Sequence, residues 1–78
     1  MDAVDPHDPV PLYQQVAREL RNMIISGELA PRDALPSELT IQQRYQVSRG
    51  TARRAIEMLR DEGLIYTVPQ RASYVAER

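Results

Sequence analysis

Seventy-eight residues with eleven carboxylates against ten basic side chains give a formal charge of −1 and room for one small domain with a modest core. Cysteine is absent and His7 is the single histidine, which excludes a disulfide framework, a thiolate zinc site, a cysteine nucleophile and a Ser-His-Asp triad. No apolar run approaches a membrane span and no signal-like segment opens the chain, so a soluble, cytoplasmic protein without a metal, cofactor or membrane contact is expected.

Asp2 to Pro9 is acidic, proline-rich and without periodicity, the pattern of a flexible arm over residues 1–9 that precedes one domain over residues 10–78. Leu12, Val16, Leu20, Met23 and Ile24 then recur at helical spacing, which predicts a helix from Leu12 to Ser26 that Pro11 starts and Gly27 ends. Pro31-Arg32-Asp33 reads as a turn, and Ala34-Leu35-Pro36 leaves room for a single extended bridge. Ser37 caps a second helix reaching about Tyr45, with Leu39, Ile41 and Tyr45 as its apolar residues. Gln46-Val47 gives a connection of helix-turn-helix length. Ser48 caps a third helix, on which Ala52, Ala55, Ile56 and Leu59 share one buried face, and Gly63 ends it. Leu64 to Val68 and Ser73 to Ala76 are β-prone and joined by Pro69 to Ala72 as a hairpin. The order predicts a mainly α fold with a small β-wing: a winged helix-turn-helix of three helices, a short strand and a two-stranded hairpin.

At about 100° per residue, Gly50, Arg53, Arg54 and Glu57 fall opposite the buried face of the third helix, with Arg49 at the edge of that arc. Arginine forks and unpaired helix N–H groups therefore meet at one end, which suits phosphates and guanine edges. A solvated charged face is the ordinary alternative. Local charge decides against it: residues 1–38 hold three arginines against seven carboxylates, whereas residues 39–60 hold five arginines against Glu57 alone. Glu38 is expected to complement the dipole of the second helix rather than to orient Arg53. Tyr13, Tyr45, Tyr66 and Tyr74 are expected to pack in the core or wing rather than stack on bases. Gly27, Gly50 and Gly63 are isolated, so no phosphate-cradling loop is present, and nothing points to an enzyme.

Pro11-Leu12-Tyr13-Gln14-Gln15, Leu35-Pro36-Ser37-Glu38, Arg44-Tyr45, Val47-Ser48-Arg49-Gly50-Thr51, Ala55-Ile56 with Leu59, and Glu62-Gly63-Leu64-Ile65 together resemble the N-terminal DNA-binding domain of the GntR family of bacterial transcription regulators. The resemblance spans about Val10 to Val75. It implies that the helix from Ser48 enters the major groove while the wing touches the minor groove or backbone. By position, Ser48 and Thr51 are implied to meet phosphate or base edges, Arg49 and Arg53 to be the principal readers, and Ser37 to anchor the second helix to the backbone. Arg44, Gly50, Arg54, Gln70 and Arg71 complete the expected DNA-contacting set.

The chain departs from the family pattern where Arg32, Gln46, Gln70 and Ala72 stand at usual glycine positions and Leu39 at a usual arginine. Arg32 and Gln46 can be accommodated if those turns use φ below zero, whereas a left-handed Gln46 would cost about 1 kcal/mol. The bulkier wing is expected to attract phosphate through Arg71 with little minor-groove readout, and Leu39 to join the core or form an exposed apolar spot. The resulting expectation is a sequence-specific, double-stranded DNA-binding regulator, a repressor occupying an operator, with two copies pairing on DNA and no small-molecule site in this chain. The alternative is a winged-helix protein-interaction module whose DNA surface has decayed.

Overall fold

The computed structural model describes residues 4–77; residues 1–3, the first part of the expected arm, and Arg78 lie outside the described residues. Pro11, at φ −55° and ψ 145°, starts α1 (Leu12–Ile25) without a side-chain cap, its carbonyl accepting the amides of Gln14 and Gln15. The helix stops one residue short of the expected Ser26, which becomes its C-cap, and Gly27 at φ 86° turns the chain away.

The next two helices, α2 (Glu38–Tyr45) and α3 (Arg49–Asp61), begin with the same local chemistry. Ser37 Oγ accepts the amide of Thr40 and Ser48 Oγ that of Thr51, both at 3.1 Å, and each serine hydroxyl donates to the same threonine's Oγ1 at 3.0 Å. After α3, Gly63 at φ 78° sends its amide to the Arg60 carbonyl and Leu64 sends its own to Leu59, so the last carbonyls are satisfied.

The core forms where the apolar faces of the three helices meet the wing. Val16 and Leu20 of α1, Ile41 of α2, and Ala52, Ala55 and Leu59 of α3 are fully buried, joined by Tyr45, Leu35, Ile65 and Val75. Burying each large aliphatic side chain stabilises by roughly 1.5–3 kcal/mol, and the alanines let helix backbones approach closely.

The wing is antiparallel, with β1 (Ile65–Val68) paired to β2 (Ala72–Val75) in the register Ile65↔Val75, Tyr66↔Tyr74, Thr67↔Ser73 and Val68↔Ala72. The last of these pairs starts β2 at Ala72, one residue earlier than the sequence predicts. On its other edge β2 meets the stretch before α2: Ala34 bridges Tyr74, and Arg32 N to Val75 O, Val75 N to Asp33 O and Leu35 N to Ser73 O lie at 2.8–2.9 Å. The predicted short strand is this bridge.

Three of the positions noted as departures from glycine take the conformation that favours glycine: Arg32 has φ 74°, Gln46 φ 56° and Gln70 φ 64°. The turns at Arg32 and Gln46 therefore do not use the negative φ that would accommodate these side chains without cost, and Gln46 takes the left-handed alternative. The turns explain how the side chains are tolerated. Asp33 N bonds Ala30 O and Arg71 N bonds Val68 O, placing Pro31-Arg32 and Pro69-Gln70 at the two central positions of turns with type II signs. Proline presets the first dihedral, offsetting a left-handed cost of about 1–2 kcal/mol at the second. Gln46 Nε2 donates to the Gln43 carbonyl at 2.7 Å and helps close the end of α2.

Residues 4–9, the described part of the stretch read from the sequence as a flexible arm, and Val10 after them are tied to α1 by one buried polar side chain. Gln15 Oε1 accepts the Asp5 amide at 2.7 Å, while its Nε2 donates to the carbonyls of Asp5 and Val10 at 2.9 and 2.8 Å. Gln15 is thereby satisfied in the interior, as burial of an amide requires.

Candidate nucleic-acid interface

A groove runs between the start of α2, one face of α3 and the tip of the wing. Ser37, Glu38 and Leu39 line its α2 side, Arg49, Arg53 and Arg60 its α3 side, and Gln70 and Arg71 its wing side. The helical step explains the α3 contribution, since residues four and seven apart return to one face. Of the residues proposed from the sequence, Ser37, Arg49, Arg53, Gln70 and Arg71 are brought together here. Ser48, Gly50 and Thr51 form the cap and first turn of α3 beside Arg49. A Cβ added at Gly50 would find Ser48 Oγ at 4.0 Å and nothing nearer, so the fold itself does not require glycine there.

The other two arginines stand apart from the groove lining. Arg44 is in the last turn of α2, where a cation complements the negative end of the helix dipole. Arg54 turns towards α1, its guanidinium 4.0 Å from the centre of the Tyr13 ring. That side also holds the bidentate pair of Arg21 with Glu62, Nε to Oε1 at 2.9 Å and Nη2 to Oε2 at 2.7 Å. The hydrogen bond that Arg21 donates to Glu62 raises the Arg21 pKa above its already high ordinary value, against the opposing effect of partial burial.

Inside the groove, the Glu38 carboxylate lies between two arginines, Oε1 3.7 Å from Arg49 Nε and Oε2 3.6 Å from Arg53 Nε. Glu38 is a first-turn acid, as expected, and it also meets the residue it was not expected to orient. The threonine paired with each capping serine, Thr40 or Thr51, accepts from that serine and keeps a hydroxyl hydrogen for an outside acceptor. Leu39 is 61 % exposed on the rim, the exposed alternative for that residue. Sequence reasoning passed over Arg60, whose Nη1 donates to Thr67 Oγ1 at 2.9 Å, with Thr67 Oγ1 in turn 2.9 Å from Ser73 Oγ. Its place two turns after Arg53 was the available signal. Tyr45 is buried in the core and Tyr66 faces Tyr74 across the hairpin at 5.7 Å between ring centres, although Tyr66 stays exposed, while Tyr13 lies in neither core nor wing but against Arg54.

Among the described residues no group of three or more His, Cys, Asp or Glu side chains is placed to hold a metal ion, and no helix is long and apolar enough to cross a membrane.

Residues 12–75 match the pattern of the gntR family, described as bacterial regulatory proteins. The chain belongs to that family. It is similar to the HTH-type transcriptional repressor NagR of Bacillus subtilis, 35 % identical over 74 residues that cover 95 % of this chain and 30 % of NagR. It is also similar to the mannosyl-D-glycerate transport/metabolism system repressor MngR of Escherichia coli, 40 % identical over 86 % of this chain and 28 % of MngR. The gntR chain described here thus spans under a third of the length of these curated relatives. Among solved structures, AraR(DBD) in complex with operator ORX1 superposes with a TM-score of 0.87 at 34 % identity, over 95 % of each chain. YtrA from Sulfolobus acidocaldarius, a GntR-family transcription factor, superposes with a TM-score of 0.88 at 32 % identity, over 99 % of this chain and 81 % of YtrA. The three helices and antiparallel hairpin are the winged helix-turn-helix fold of these gntR-family domains.

Proposed function

We infer that this gntR-family chain binds double-stranded DNA sequence-specifically and regulates transcription, acting as a repressor by occupying an operator. The observation that carries the reading is the groove, in which the first turn of α3, Arg49, Arg53 and the wing's Arg71 converge on one side of the molecule. AraR(DBD), which superposes over nearly the whole chain, was solved on an operator. In this reading α3 enters the major groove. Arg49 reads a guanine edge, Arg53 contacts base or phosphate, and Ser48, Gly50 and Thr51 bring the N–H-rich helix end to the backbone. Ser37 anchors α2 at a phosphate in the same way, and Gln70 and Arg71 set the wing against the backbone. Arg44, outside the groove, reaches only flanking phosphates, and Arg54, held over Tyr13, adds little to the contact. The protein acts in the bacterial cytoplasm at the nucleoid, and two copies pair on a two-fold operator, with no enzymatic step and no effector site within this chain.

A protein-interaction role would need a continuous apolar surface. Leu39 is instead a single exposed leucine on the rim of a groove whose lining includes four arginines, Arg49, Arg53, Arg60 and Arg71, and two carboxylates, Glu38 and Glu57. The test is salt. Binding to a duplex selected from random sequence should weaken linearly in log–log form with a slope of about −3 or steeper, from at least three neutralised phosphates, and Arg71→Ala should reduce that slope by about one. A slope near zero sinks the DNA reading and leaves the apolar interface in its place.

A further inference from the structure

We propose that Glu38 is a positioning and discriminating residue for DNA recognition: its carboxylate, shared between Arg49 and Arg53, aims both guanidinium groups at base edges and makes them poorer partners for bare phosphate. The proposal rests on the DNA-binding reading above. Each carboxylate oxygen addresses a different arginine, at 3.7 and 3.6 Å through Nε. These separations are too long for hydrogen bonds, so the attraction is coulombic and leaves the arginine N–H donors uncommitted. Arg49 and Arg53 stand one turn apart on α3, where like charges repel; a carboxylate between them removes that repulsion. The heads remain displayed, the two side chains being 71 % and 52 % exposed against 37 % for Glu38. Glu57, four residues after Arg53, forms no ion pair among the described residues, so Glu38 is the acid that meets these arginines.

The position of Glu38 is imposed by backbone. The Ser37 cap fixes the first turn of α2, and Leu35 N bonded to Ser73 O ties the preceding stretch to β2. A fixed negative charge discriminates between the two kinds of acceptor that an arginine fork can meet on DNA. It repels a phosphate, which carries a full charge, far more than guanine O6 and N7, which carry only partial charges. Glu38 therefore suppresses binding wherever the bases are wrong.

The test uses the whole chain, a duplex selected from random-sequence pools and a scrambled duplex of equal length. Glu38→Gln should bind the scrambled duplex roughly fivefold to tenfold more tightly at low salt, with a slope about one unit steeper, and should lose at least about fivefold in the ratio of selected to scrambled affinity. Added to a variant that already carries Arg49→Ala and Arg53→Ala, the same substitution should leave that variant's own ratio unchanged, since the residue acts through those arginines. A role confined to the helix dipole would lower both affinities alike and would persist without the arginines. An unchanged ratio in Glu38→Gln, or a change that survives their removal, overturns the proposal while the DNA reading stands. Failure of the unsubstituted chain to bind either duplex overturns both.

Discussion

Arg53 and Arg54 are adjacent in the chain, alike in chemistry and different in surroundings. Arg53 lies in the groove 3.6 Å from a carboxylate, half exposed and without a hydrogen bond among the described residues, whereas Arg54 sits over the Tyr13 ring, 4.0 Å from its centre, on the side where Arg21 and Glu62 join α1 to the end of α3. One helical step of about 100° separates them. The difference teaches that α3 has a front whose charges are available and a back whose charges are spent on holding helices together, with the apolar stripe between.

The largest effect should come from removing what both faces stand on. Leu59 is fully buried, and Leu59→Ala should cost about 2–5 kcal/mol, most of what a chain this small holds in reserve. Denaturant unfolding measures it. Loss of DNA binding without loss of stability would mean the faces are not supported by a common core. Next in size is the contrast itself. Arg53→Ala should weaken binding to a selected duplex by about 1–3 kcal/mol with little change in melting, while Arg54→Ala should lower stability by about 0.5–1 kcal/mol and leave selective binding nearly intact. Equal losses of affinity would erase the division between front and back. The smallest effect is on the back face alone. Arg21→Met should cost about 0.5–1 kcal/mol, reduced by added salt. The bond to Glu62 raises the Arg21 pKa, so this stabilisation is present below arginine's ordinary pKa and is lost only as pH rises through a still higher value. The difference between the two proteins should thus stay flat from about pH 6 to pH 9 as far as Arg21 is concerned. A steep change in that window would place the interaction elsewhere.

What could be read from the sequence was what short-range chemistry determines. Ser37 and Ser48 as caps, Gly63 as a stop, the Ala52-Ala55-Ile56-Leu59 stripe and the placement of Arg49 and Arg53 opposite it all depend on residues within a few positions of one another. The remainder depends on how elements meet. Gln15 falls inside a helical stripe and looks out of place until its partners, five and ten residues away, close over it. Glu38 finds two arginines only because α2 and α3 converge at their N-termini. Arg54 finds Tyr13 only because α1 crosses behind α3. The positive φ of Arg32, Gln46 and Gln70 shows tertiary demand overruling local preference, since those corners need the glycine geometry whichever side chain occupies them.

One consequence follows from β2, which is hydrogen-bonded along both edges, to β1 on one side and to residues 32–35 on the other. Residues 32–35 run straight into the Ser37 cap, so the root of the wing and the start of α2 are connected by peptide bonds and a backbone ladder rather than by side chains. The opening between the wing tip and the N-terminal ends of α2 and α3 is in effect a caliper with a set jaw. A duplex that does not match its width cannot widen it cheaply. On the DNA-binding reading proposed above, the misfit is absorbed by the DNA, as a change in groove width or a bend, so base steps that the protein never touches enter the choice of operator through their stiffness.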